Sequence, residues 1–169
     1  RRPLADRAHR HESAHRRFVG HLDGRRHRVE VAAEDAHGRL GALASLIQHQ
    51  GKSVNPNRQE GPHPHGVYPS PDNHFVFVPD LGLDTVFCYL LDAPSAKLTR
   101  NTMIAGTSLK AGSGPRHFAF HPNGKFAFVN NEMLMTVTSF AYDAGKGALT
   151  QIETVSTLPS EDRGKTGYS

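Results

Sequence analysis

The stretch RQEGPHPHG (58–66) sets two imidazoles, His63 and His65, two residues apart behind a Gly-Pro turn signal. On an extended chain that spacing puts both on one face. Together they could begin a metal site, which needs three or four ligands, and His117 and His121 are the obvious further imidazoles. Two other short stretches carry complementary chemistry: GPRH (114–117) supplies Arg116 and NNE (130–132) ends in Glu132. An imidazole, a guanidinium and a carboxylate that meet can bind an anion and move a proton. Apart, an Arg-Glu pair at a strand end is an ordinary ion pair, and a histidine beside proline is a turn residue. The elements that position these residues decide between the two.

An internal repeat sets those elements. PDNHFVFVPDLGLDTVFCYLLDAPSAKLT (71–99) aligns without gaps on PNGKFAFVNNEMLMTVTSFAYDAGKGALT (122–150), with 11 of 29 positions identical at an offset of 51. In the second copy RHFAFH, KFAFVN, TVTSFAY and LTQIETVST are rich in aromatic and β-branched residues, as strands are. HPNG and DAGKG form the turns between them. Four antiparallel strands in about 50 residues predict a β-propeller blade; a two-unit β-sandwich is the alternative. The expected fold is all-β: a propeller fragment of about two complete four-stranded blades (about 62–110 and 113–160) with partial flanking blades. DAHGRL (35–40) marks an earlier outer strand. Propellers close with roughly four to eight blades, so a fragment of a longer protein is expected.

The repeat also groups the polar residues. In a four-stranded meander the start of the first strand and the end of the second share one edge, and the first strand lines the channel. Arg116 opens a first strand, Glu132 follows the end of a second, and the offset places His65 where Arg116 stands in the next blade. The candidate catalytic residues are therefore His65, Arg116 and Glu132. His63, Asp80, His117 and Asn131 are candidate substrate-binding residues, Asp80 being the repeat partner of Asn131. Arg58, Gln59 and Glu60 read as rim residues. By strand alternation His117 points away from Arg116, and no metal is expected.

The net charge of +4 is unevenly placed. Residues 1–30 hold nine arginines against four acids, and five of the twelve histidines. No helical or strand period runs through them. Residues 1–32 are expected to stand apart from the 33–169 propeller region, as a disordered leader, a basic arm or an out-of-frame translation. Phe18 is the lone aromatic residue among them, too few to interleave and stack on bases, so no nucleic-acid partner is expected. No apolar run nears the roughly 18 residues of a membrane span, and no membrane partner is expected either. The single cysteine, Cys88, excludes an intrachain disulfide and fits a reducing, cytoplasmic setting.

RQEGPHPHG, AGSGPRHFAFHPNGKFAFVNNE and FAYDAGKGALTQIETVSTLP together resemble the seven-bladed propeller lactonases, over about residues 33–160. That family contains a bacterial type of 6-phosphogluconolactonase and the fungal carboxymuconate cyclases. The resemblance implies a metal- and cofactor-independent site at one mouth of the channel, with His65, Arg116 and Glu132 as the catalytic group. It also implies a small anionic lactone as substrate, in a step of the pentose phosphate pathway. A cyclase, or a propeller that only binds a ligand or partner, is the alternative.

Overall fold

The computed structural model describes residues 18–23, 28–34, 37 and 39–163. Its described strands form three antiparallel sheets. The first joins β1 (Phe18–Asp23), β2 (Arg28–Glu34) and β3 (Leu40–Gln48). The second contains β4 (Tyr68–Pro69), β5 (Phe75–Asp80), β6 (Thr85–Asp92), β7 (Lys97–Arg100) and β8 (Gly106–Ser108). The third is a plain meander of β9 (Pro115–Phe120), β10 (Phe126–Asn131), β11 (Thr136–Asp143) and β12 (Ala148–Ser156). These are propeller blades. Among the described residues no helix is long and apolar enough to cross a membrane.

The third blade follows the sequence expectation strand by strand, because its turns are chemically explicit. Gly124 and Gly147, both at φ +68°, close the hairpins with N–H bonds to the carbonyls of His121 and Asp143 at 2.9 Å. In the second blade the outer strand is broken into β7 and β8, both paired to β6. Buried Asn101 causes the break: its Oδ1 accepts the N–H groups of Met103 and Ile104, while its Nδ2 donates to the Lys146 carbonyl. Side-chain bonds of this kind compete with a ladder.

Two apolar layers hold the blades face to face. Phe75 and Phe77 of β5 pack with Phe118, Val129 and Phe140 of the third blade. The alternate residues Val76 and Val78 pack with Val29 and Val31 of the first. Strand β5 is thus buried on both faces, and its end is a rigid support.

The expected boundary at residue 32 falls inside β2, and the structure corrects it. Val29 and Val31 are fully buried between the first two blades. Their two-residue alternation with Arg28 and Glu30 is a genuine strand period, too short to stand out in an Arg- and His-rich segment. β1 and β2 are the inner strands that precede β3, whose start at Leu40 matches the outer strand read from DAHGRL. Residues 1–17 of the expected leader lie outside the described residues.

Candidate active site

The loop RQEGPHPHG is built onto the tip of the β5–β6 hairpin, DLGLD (80–84). Asn55 starts it, its Oδ1 accepting the N–H groups of Asn57 and Arg58. Gln59 has no exposed surface: its Nε2 donates to the Leu81 carbonyl at 2.8 Å and its Oε1 accepts the Asn55 N–H. It is a brace and not the rim residue expected from sequence. Leu81 N–H then donates to the His63 carbonyl, and His65 N–H to that of Pro79. The contact is close because Gly82 has no side chain; a Cβ there would lie 1.9 Å from the Gly61 carbonyl oxygen. Gly82→Ala is therefore expected to lift the loop and to cost about 1–3 kcal/mol, as overpacking does. Urea unfolding checks it.

The same tip ties down the arginine side. Asp84, in the left-handed region at φ 49°, accepts the N–H groups of Gly112 and Gly114 and the Ser53 hydroxyl. Ser53 leads into the Arg58 loop, and Gly114 lies two residues before Arg116. One hairpin tip thus anchors both segments that bring an arginine to the mouth.

His65 and Arg116 share a backbone device. In the third blade Pro115 pairs with Asn131 and His117 with Asn130, so Arg116 is the extra residue of a β-bulge. In the second, Pro64 bridges Asp80 and Tyr68 pairs with Phe77, again with one residue too many. By the 51-residue offset that extra residue is His65. Bulges re-aim a side chain beside active sites. The bulge also interrupts the alternation from which His117 was expected to point away.

Glu132 joins the two arginines. Only 3% of its side chain is exposed; Oε1 accepts from Arg58 Nη2 at 2.5 Å, and Oε2 lies 3.3 Å from Arg116 Nε. The two guanidinium side chains remain 31% and 29% exposed, so the charge cluster opens to solvent through its arginines. Beside it, Asn57, Arg58, Glu60, His63, His65 and Leu81 line an open cleft of about 220 Å³. Burial holds the half-buried His65 imidazole below its ordinary value of 6.5, and the Arg116 guanidinium lowers it further. The Glu132 carboxylate opposes this, while His63 and His117 add to the lowering. At neutral pH the ring is a free base.

The structure thus brings His65, Arg116, Glu132, His63 and His117 into one electrostatic neighbourhood. His63 Nε2 lies 3.1 Å from Glu60 Oε1, and exposed His117 meets the Tyr68 hydroxyl through Nδ1 at 3.2 Å. Two expected substrate-binding residues sit elsewhere. Asp80 is wholly buried behind the cleft, bonded to the His63 N–H and to His49. Asn131 is buried too, donating to Thr136 and Thr138. Both end a second strand as the repeat requires, but their side chains turn into the blade. Arg58 and His49 were not among the site residues read from sequence. Arg58 stood in the opening motif, yet its partner is 74 positions away; His49 carries no local signal. Among the described residues no group of three or more His, Cys, Asp or Glu side chains could hold a metal ion.

Antiparallel blades stacked face to face, with a cleft lined by arginine and histidine at the strand ends, define a β-propeller fragment. The profile of the seven-bladed β-propeller lactonases matches residues 13–169, and the chain belongs to that family. It is 34% identical over 134 residues to the 6-phosphogluconolactonase of Bacillus subtilis, covering 79% of this chain and 37% of that protein. A probable 6-phosphogluconolactonase of Arthroderma benhamiae is 35% identical, over 72% of this chain and 31% of its own length. Among solved structures, a Lactobacillus plantarum protein superposes with a TM-score of 0.76 at 33% identity, over 85% of this chain and 40% of that one. The periplasmic gluconolactonase of Pseudomonas aeruginosa superposes with a TM-score of 0.71 at 35% identity, over 79% and 36%. The chain thus spans well under half the length of each of these relatives.

Proposed function

We propose that the protein carrying this chain is a lactonase that hydrolyses 6-phosphogluconolactone to 6-phosphogluconate. The observation that carries the reading is a half-buried, neutral imidazole at His65 beside two arginines bridged by Glu132. A neutral imidazole takes a proton from water as its oxygen adds to the lactone carbonyl. Arg116 stabilises the oxyanion that forms. Collapse of the adduct breaks the ring C–O bond, and the proton on His65 passes to the departing alkoxide. Glu132 orients the guanidiniums: its carboxylate is enclosed by the two arginines, whereas His65 lines the open cleft. The partly exposed Arg58 and Arg116 guanidiniums offer N–H groups to an anionic group of the substrate, while Glu60 and Glu132 balance their charge. The named relatives favour a lactone as that substrate, and the cyclase reading draws no support from them.

The test is steady-state hydrolysis by the intact protein, with 6-phosphogluconolactone, unphosphorylated gluconolactone and carboxymuconate assayed side by side. Turnover of the phosphorylated lactone is expected to be fastest. Arg116→Ala is expected to lower kcat/KM by about 10²-fold. An intact protein inert towards both lactones, or an Arg116→Ala variant as fast as its parent, would sink the reading.

A further inference from the structure

A buried hydrogen-bond chain crosses from the first blade to the second directly behind His65. The Tyr89 hydroxyl of β6 lies 2.7 Å from His49 Nε2, and His49 Nδ1 lies 2.6 Å from Asp80 Oδ2. The three residues are 3%, 5% and 0% exposed. Burial raises Tyr89 well above the ordinary tyrosine range, so its O–H stays on and is available to donate to Nε2 when the ring's proton sits on Nδ1. A carboxylate only accepts, so Asp80 favours the proton on Nδ1, the arrangement in which a second partner fixes a ring's tautomer. The other Asp80 oxygen accepts the His63 N–H at 2.7 Å, Pro64 bridges Asp80, and His65 N–H bonds to the neighbouring Pro79 carbonyl. The carboxylate that His49 holds therefore grips the backbone on the N-terminal side of His65.

The third blade shows that the bulge does not need this device. There Asp80 is replaced by Asn131, which bonds to two threonines of its own sheet, and the bulged residue is the arginine paired to Glu132. Burying a carboxylate is costly unless it is paired and hydrogen-bonded, yet the blade that presents the histidine carries one.

We propose that His49 is a positioning residue for His65: by fixing the Asp80 carboxylate it locks the 63–65 backbone and sets the reach of the His65 imidazole. The inference rests on His65 being the proton carrier of the proposed lactonase. The test is a double-mutant cycle in the intact protein with His49→Leu, His65→Ala and the pair, read as kcat and KM on the lactone. His49→Leu is expected to lower kcat about tenfold or more, since small misplacements of a reacting group are expensive, with KM nearly unchanged. On the His65→Ala background it is expected to cost nothing further. His49→Asn, whose amide N–H reaches the Nδ1 position, should restore most of kcat. If His49→Leu does not fold, Tyr89→Phe enters the cycle in its place, with the same pattern at smaller amplitude. An unchanged kcat in the folded variant, or a loss that multiplies onto that of His65→Ala, overturns the positioning role and leaves His65 untouched. A His65→Ala protein at parental rate instead overturns the proton-carrier reading itself.

Discussion

Glu132→Gln is expected to lower kcat/KM on a phosphorylated lactone by about 10²-fold, as much as loss of Arg116 itself, and to raise KM. Its carboxylate lies against Arg58 Nη2 and Arg116 Nε with 3% of the side chain exposed. At about 4 Å and an effective dielectric near 20, each such attraction is worth about 4 kcal/mol before the cost of desolvation. Glutamine removes the charge, and its amide NH₂ faces one guanidinium as a donor facing donors. The two cations then repel. The Arg58 loop loses its link to the third blade, and Arg116 loses the direction in which it meets an oxyanion. If Arg58 acts through this link, Arg58→Met combined with Glu132→Gln should lose little more than Glu132→Gln alone. A glutamine variant with unchanged KM and kcat would show that the guanidiniums are held by other means.

His65→Gln is expected to cost about 10²-fold or more in kcat, within the range that a positioned general base supplies. Glutamine approximates the size of the ring and can hydrogen-bond, but it cannot take a proton at neutral pH. The loss should therefore fall on kcat and leave KM within a few-fold. A variant that instead lost only substrate affinity would make His65 a binding residue.

The architecture was legible because it is carried by repetition. The 51-residue offset aligned Pro115 with Pro64 and Arg116 with His65, and both pairs occupy the same places in the bulges of their blades. Strands β9 to β12 could be read almost to the residue, since aromatic and β-branched runs alternate there with Pro-Asn-Gly and Asp-Ala-Gly turns. What escaped were relations the repeat does not encode. Asp80 and Asn131 align, but one meets an imidazole from the preceding blade and the other meets threonines of its own. Arg58 reaches Glu132 only because the Asn55–Gln59 turn folds the loop over the hairpin tip. The strand Arg28–Glu34 was hidden by its company, two valines among arginines and histidines.

The pH dependence of kcat/KM for lactone hydrolysis by the intact protein tests the central claim most directly. The base works in its neutral form, so activity rises with pH through its pKa and then levels. Burial and Arg116 lower that pKa, so the acid limb should have its midpoint below 6.5 and activity should be flat across neutral pH, with the limb absent from His65→Gln. A midpoint above 6.5, or an acid limb that survives unchanged in His65→Gln, would contradict the account.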